Sequence, residues 1–200
     1  ALSPEWKDYF FHTSAPNGQQ WAFQVEENGA SFKMVNDMQI GNGVPIVGIN
    51  FSPDGALYGV DWGGGYPLNE QGAVWKWDVE VNPEQQVYRN LTEEYLAQDF
   101  SADNIDYLKL AQFLDHADQR IRFKAQFELV KRNDQNTLHR IAISRNMDST
   151  DIQLLGRIHA IWGLGQFNRK SENPDFETLI SLLGAPNAEI RTQAAKTIGD

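Results

Sequence analysis

The sequence predicts a chain in two parts, an all-β half over residues 1–80 and an α-helical solenoid over residues 104–200. The first half contains short, aromatic-rich apolar runs separated by Pro, Asn and Gly turns, which is typical of strands joined by hairpins. From about Leu91 the apolar residues recur at helical spacing. The helical part also repeats internally, and a fixed period of this kind indicates stacked helix pairs.

The internal repeat consists of three similar segments, each with an arginine three positions before an alanine. The pairs are Arg122 with Ala125, Arg157 with Ala160, and Arg191 with Ala194. The alanines lie 35 and then 34 residues apart. Helix pairs of a solenoid bury their apolar faces by stacking on one another, so we expect this half to be a scaffold rather than a catalyst.

Six strands are predicted in the first half, and their hairpin spacing favours the blades of a β-propeller or part of a β-sandwich. They lie at residues 9–11, 21–25, 32–35, 46–51, 56–62 and 73–77. Residues 52–55 (SPDG) predict a tight hairpin turn, because Pro53 presets φ and Gly55 supplies a positive φ. We expect Asp54 to bond local N–H groups, since the alternating acidic spacing of a calcium loop is missing.

Three helix pairs are expected after a linker over residues 81–103. Their predicted helices lie at residues 106–114 and 118–129, 137–143 and 152–164, and 176–183 and 190–198. Asp118 is the expected N-cap of the second of these helices, in which Ile121, Ala125 and Leu129 recur every four residues.

Composition excludes several classes of function. The net charge is −10, and the 17 Lys and Arg residues are scattered, which argues against nucleic-acid binding. No apolar run approaches the ~20 residues of a membrane span. Cysteine is absent, which excludes disulfides, thiolate catalysis, cysteine-bound zinc and covalent haem attachment within this chain.

The ends of the sequence suggest either an internal part of a longer protein or a mature product trimmed at both ends. The chain begins at Ala1 without an initiator methionine and stops at Asp200, where a repeat helix would continue. Solenoids normally end in a polar capping repeat.

Two motifs resemble known families. Residues 51–62 (FSPDGALYGVDW) resemble the blade motif F-x-P-D-G-x-L-Y-x-x-D-W of bacterial sorbosone/glucose-dehydrogenase-like propellers. The helical segments resemble HEAT repeats, whose second helix carries D-x-x-[IV]-R-x-x-A. Residues 116–127 and 157–165 are similar to the large membrane-bound dehydrogenases of planctomycetes, which run from a propeller through HEAT repeats to a c-type cytochrome domain.

This resemblance implies the last blades of a propeller over residues 1–80, followed by HEAT-like scaffold repeats, in a periplasmic sugar or alcohol dehydrogenase. Pyrroloquinoline quinone with calcium and a c-type haem would belong to the full-length protein, and none of these cofactors is expected within this chain. The expected partners are the rest of the polypeptide or a cytochrome domain, together with a sugar or polysaccharide. Two features depart from the family pattern, because C-x-x-C-H is absent and six strands cannot close a propeller. The alternative is a non-catalytic carbohydrate- or protein-binding module.

Asp61, Trp62 and Tyr66 are the candidate substrate-binding residues. A strand-end carboxylate followed by a glycine-rich aromatic loop suits a sugar pocket, with the rings stacking on a pyranose and Asp61 accepting hydroxyl hydrogens. The alternative is structural, with Asp61 bonding the N–H groups of the loop. No catalytic residue is identified.

The histidines give little support for a metal site. None of the four has the i, i+4 partner or the H-E-x-x-H arrangement of a zinc site. His159 either contacts a docked haem domain or is a hydrogen-bonded interior residue.

The repeated arginines predict a structural ladder. In HEAT arrays the matching arginine pairs with an aspartate, so Asp118, Arg122, Arg157 and Arg191 are assigned to a ladder that fixes the register of the repeats. Single surface pairs of this kind add little stability.

Overall fold

The computed structural model describes residues 2–29, 31–63, 67, 70–102, 105–144 and 151–200. The chain divides into two compact units, Ala1–Glu93 and Glu94–Asp200. We call them the β unit and the helical unit. A short 3-10 helix, Pro4–Trp6, precedes the first strand.

The strands of the β unit form two separate antiparallel sheets of three strands each, β1-β2-β3 and β4-β5-β6. Their bounds are β1 (Phe10–Ser14), β2 (Gln19–Asn28), β3 (Ser31–Gly41), β4 (Ile46–Phe51), β5 (Leu57–Asp61) and β6 (Val74–Trp77). Each strand overlaps one of the six predicted from sequence. The inner faces of the sheets meet where Phe11 contacts Phe51 edge to face, with ring centroids 5.4 Å apart.

The propeller predicted for this half is wrong. A propeller blade is a four-stranded sheet, and blades close into a ring. In the residues that the structure describes, each sheet has three strands and neither a propeller nor a closed barrel is formed. Residues 51–62 form only the β4–β5 hairpin, which any antiparallel sheet can contain.

The hairpin between β4 and β5 is built by the residues that predicted it. The Ser52 amide donates to the Ala56 carbonyl (2.9 Å), and Gly55 has φ +85°. Asp54 accepts the Ala56 amide at 3.0 Å and the Lys76 ammonium at 3.1 Å. Partial burial opposes ionisation of Asp54, but these two donors outweigh it and hold its pKa below the usual range.

Arg89 is the buried cation of the β unit. Its side chain is 9% exposed and donates to Asp78 at 2.9 Å and to the carbonyl of Leu2. The guanidinium lies directly over Gly55, where an added Cβ would stand 2.9 Å from Nε. Gly55 is therefore required both by its positive φ and by the close approach of Arg89.

Helices α1 to α7 account for most of the second half of the chain. Their bounds are α1 (Pro83–Ala97), α2 (Tyr107–Leu114), α3 (Gln119–Lys131), α4 (Gln135–Ala142), α5 (Asp151–Lys170), α6 (Glu177–Leu182) and α7 (Ala188–Gly199). Asp118 caps α3 by accepting the Arg120 amide. The repeat alanines Ala125, Ala160 and Ala194 are all fully buried.

Most of the segment predicted to be a linker is helical. Asn82 and Gln85 cap the start of α1 reciprocally, with N–H to side-chain oxygen distances of 2.9 and 3.0 Å. Pro83 occupies the first helical position, where its missing N–H costs nothing. The division between the two units, at Glu93 and Glu94, falls inside this helix.

The helical unit is centred on α5 rather than stacked as a regular solenoid, so that part of the predicted fold class is also wrong. Among the described helices, α5 packs against α2, α3, α4 and α7. The helices paired in sequence also differ in length, since α4 has 8 residues and α5 has 20. In a regular solenoid each repeat contacts only its neighbours, whereas α5 contacts helices of all three predicted pairs.

Two cations of α3 hold the segment that leads into the helical unit. Lys124 donates to the carbonyls of Leu96 (2.7 Å) and Gln98 (2.6 Å). Arg132 donates to the carbonyls of Phe100 (2.8 Å) and Ile105 (2.6 Å). Leu96 lies in the last turn of α1, and the other three carbonyls lie in the segment between α1 and α2. Carbonyls at the end of a helix have no helical N–H partner, so these cations supply donors for them.

Among the described residues, no helix combines the length and apolar character that crossing a membrane requires.

Gly55→Ala should destabilise the β unit by about 2–3 kcal/mol, because the left-handed φ costs about 1–2 kcal/mol and the Cβ displaces Arg89. Urea unfolding of the full chain, followed by tryptophan fluorescence, measures the loss. Gly29→Ala is the matched control, since Gly29 has φ +63° but open space around its Cβ, so it should lose only the conformational part. Equal losses of stability in the two variants would show that the close approach of Arg89 to residue 55 adds nothing to the cost of the substitution.

Candidate functional site

Asp61 ends strand β5 and is tied to strand β6. One carboxylate oxygen accepts the Ala73 amide and the other accepts Trp75 Nε1, both at 2.7 Å. The Trp62 amide donates to the Pro45 carbonyl at 3.1 Å. These bonds fix the two ends of the glycine-rich loop, as the structural alternative for Asp61 requires.

The sugar pocket suggested for Asp61, Trp62 and Tyr66 stays a prediction. Tyr66 lies outside the described residues, so the three side chains cannot be placed together. A cavity between the sheets, lined by Phe11 and Trp77 among others, has a volume of about 10 Å³. That is room for about one water molecule and far too little for a sugar.

The repeated arginines contact main-chain carbonyls. Arg122 donates to His116 (2.7 Å) and Ala117 (2.8 Å), in the loop between α2 and α3. Arg157 donates to the carbonyl of Ala142, at the end of α4. The third arginine, in α7, makes the equivalent contacts: Arg191 donates to Ala185 (2.7 Å) and Pro186 (2.8 Å).

Asp118, the acidic member assigned to the ladder, forms its ion pair with Arg120 at 2.7 Å. Burial opposes its charge, but Arg120 outweighs that effect and lowers the pKa of Asp118. The arginine spacing therefore reflects a repeated contact with loops, made through carbonyl oxygens.

His159 is an interior residue of α5. Its side chain is 1% exposed, and Nδ1 lies 2.7 Å from Gln126 Oε1 on α3. Because an amide oxygen only accepts, Nδ1 carries the proton. Phe123 and Trp162 contact the imidazole edge to face, with ring centroids 4.8 and 4.9 Å away. Of the two roles considered for His159, this is the geometry of the hydrogen-bonded interior residue.

The environment of His159 keeps it neutral. Burial, assisted by the nearby Arg122 charge, lowers its pKa to about 4. Its contribution to the site is therefore shape and a fixed hydrogen bond rather than charge at neutral pH.

Above His159 lies a row of stacked aromatic rings that we call the aromatic row: Phe127, Phe123 and Trp162. Phe123 stacks on Phe127 with an interplanar angle of 17° and on Trp162 with an angle of 16°. Phe127 is 51% exposed. Trp162 Nε1 donates to Gln193 at 2.8 Å, and this bond connects the row to α7.

Sequence reasoning missed the aromatic row, although the repeat contained a signal for it. Phe127 and Trp162 both stand two positions after a repeat alanine, and Lys196 occupies that position in α7. Because α3 and α5 pack against each other, a bulky aromatic recurring at this offset indicates a surface that the two helices share.

Within the described ranges, no three histidine or acidic side chains converge closely enough to bind a metal ion. The sequence contains no cysteine to attach haem. Quinone, calcium and haem stay predictions for a longer protein.

No family model, curated protein or solved structure matches this chain. The aromatic row is therefore interpreted from its geometry alone.

The low pKa of His159 predicts acid destabilisation of the helical unit. The unfolded histidine binds a proton near pH 6.5 and the folded one near pH 4, so stability is complete above 6.5 and falls as pH drops to 4. The free energy of unfolding should fall by about 3 kcal/mol across this pH window. Urea unfolding of the full chain at pH 7, 5.5 and 4.5 measures it.

His159→Gln should be less stable at pH 7 but should lose most of this pH dependence. His116 also has a pKa lowered by burial, so His116→Gln is the matched control for any general histidine effect. An unchanged pH slope in His159→Gln would contradict the assignment.

Proposed function

We propose that the helical unit docks a partner protein through the aromatic row. The observation that carries this proposal is the nearly parallel stack of Phe127, Phe123 and Trp162 across α3 and α5. Rigid aromatic side chains are the commonest anchors of protein interfaces, because they bury much area at low entropic cost.

The row is held in place before any partner arrives. Gln193 accepts from Trp162 and in turn donates to Glu189 at 2.7 Å, one helical turn away. Beneath the row, Gln126 fixes His159. Since these side chains are already ordered, a partner loses little free energy in ordering them.

Charge near the row favours an acidic partner. Lys131 lies one turn beyond Phe127, Arg169 two turns beyond Trp162, and Lys196 one turn beyond Gln193, each on the same face of its helix. Arg169 also lies close to α7, because a Cβ added at Gly165 would contact both Arg169 and Thr197. The favoured partner is an amphipathic helix with apolar anchors and acidic flanks.

A periplasmic sugar or alcohol dehydrogenase stays a prediction from the family resemblance. The carboxylate of the suggested sugar site already accepts from Ala73 and Trp75, which favours the docking proposal over sugar binding at Asp61. A cytochrome domain or another part of the same polypeptide is a suitable partner only if it presents acidic and apolar groups.

Phe127→Ala should weaken binding of an amphipathic peptide helix, with leucine on one face and glutamate on the other, by about 2 kcal/mol or roughly thirtyfold in Kd. Isothermal titration of the full chain measures this. Ile180→Ala is the matched control, because Ile180 is 56% exposed on α6, away from the row.

Chemical shifts of amide groups should map the peptide to α3, α5 and α7. A lysine version of the same peptide should bind more weakly, because it meets Lys131, Arg169 and Lys196. Equal weakening by Phe127→Ala and Ile180→Ala, or shifts confined to other elements, would contradict the proposal.

A further inference from the structure

The outer face of the β1-β2-β3 sheet is largely apolar, with His12 and Glu27 among its polar residues, although antiparallel sheets normally present polar side chains to water. Strand register and alternation place six apolar side chains on it, and we call this set the outer apolar face: Phe10, Trp21, Phe23, Val25, Phe32 and Met34. Phe32 is 68% exposed and Met34 57%. Contiguous exposed apolar surface of this kind marks an interaction site.

The same sheet has a long open edge. Strand β3 has eleven residues, and among the described residues no strand pairs with its outer side. Strand β1 pairs with β2 only as far as Phe10↔Phe23. Beyond that point β2 and β3 continue as a two-stranded ribbon that includes the pairs Val25↔Met34 and Glu27↔Phe32.

A two-stranded ribbon with an apolar face is marginally stable in water, and natural proteins usually block such edges. A bulge does interrupt β3 at Asn36, which has φ +51°. The stretch before the bulge, residues 31–35, keeps regular pairing with β2 and contains Phe32 and Met34. That stretch is therefore the available docking edge.

The charge of the β unit indicates which kind of segment binds at this edge. Residues 1–93 contain 12 acidic and only 4 basic residues, whereas residues 94–200 contain 15 and 13. The ribbon itself contains exposed Glu26 and Glu27 and one cation, Lys33, which lies opposite Glu26, so its net charge is negative. Two copies of so acidic a unit repel each other, while a basic segment is attracted to it.

We propose that the edge of β3 accepts an extended, basic segment of a partner protein by strand addition. The main chain of the segment pairs with residues 31–35, which gives affinity. Its alternate apolar side chains lie beside Phe32 and Met34 on the outer apolar face, and its cationic side chains are attracted by the acidic ribbon. This surface belongs to the β unit and is independent of the aromatic row.

A peptide of alternating valine and lysine is the probe, and the corresponding valine–glutamate peptide is its charge control. Titrated into the ¹⁵N-labelled full chain, the lysine peptide should shift amide signals of β3 and bind at least about tenfold more tightly than the glutamate peptide. Its affinity should fall as salt is raised.

Phe32→Thr and Met34→Thr should each weaken the lysine peptide severalfold while leaving the sheet folded, because threonine suits exposed strand positions. Val74→Thr is the matched control, since Val74 is 69% exposed on β6 in the other sheet. If one of these variants unfolds, the same spectra show it as a loss of amide signal dispersion. Val25→Thr is then the second test of the outer apolar face.

Equal binding of the two peptides, shifts outside β3, or the same loss in Val74→Thr would overturn the proposal. Self-association of the chain through β3, seen as concentration-dependent shifts without peptide, would also overturn it and would assign this edge to a second copy.

Discussion

Cationic side chains of the helical unit, of which Arg122 and Arg157 are buried, donate to main-chain carbonyl groups at helix ends and in the segments that join the helices. The rest of the helical unit depends on these bonds. The pairs are Arg122 with His116 and Ala117, Lys124 with Leu96 and Gln98, Arg132 with Phe100 and Ile105, Arg157 with Ala142, and Arg191 with Ala185 and Pro186. Carbonyls at helix ends have no helical donor, and a charged donor is worth about 1.5–3 kcal/mol per bond. A short loop can therefore approach the core without leaving its acceptors unsatisfied.

The same stretch of α3 that holds the loops also positions the aromatic row. Phe123 lies between Arg122 and Lys124 in sequence. The helix turn that carries its ring is therefore fixed by bonds to two separate segments. The Arg122 charge also helps to keep His159 neutral beneath the row. The bonds to the loops, the neutral histidine and the exposed rings therefore depend on the same residues of α3. Together they make the surface around the aromatic row rigid.

Local features of the fold were predictable, and its assembly was not. The positions of the six strands and the turn at Gly55 follow from alternation and turn chemistry, and the burial of Ala125 follows from helical spacing. The number of strands in each sheet depends on non-local pairing, which residues 51–62 do not encode. Arginine spacing showed that a contact repeats, but its acceptors are carbonyls, which every residue has. The start of α1 was readable from Asn82 and Gln85, whereas the aromatic row required knowing which helices are neighbours.

The free energy of unfolding of Arg122→Met, measured in low salt and again in 1 M NaCl, tests the central role of these bonds most directly. Methionine keeps the apolar part of the side chain and removes both donors to His116 and Ala117. The expected loss is about 3 kcal/mol at both salt concentrations, because buried bonds to carbonyls are screened little. A loss below about 0.5 kcal/mol, the size of an ordinary surface substitution, or one that disappears in high salt, would contradict it.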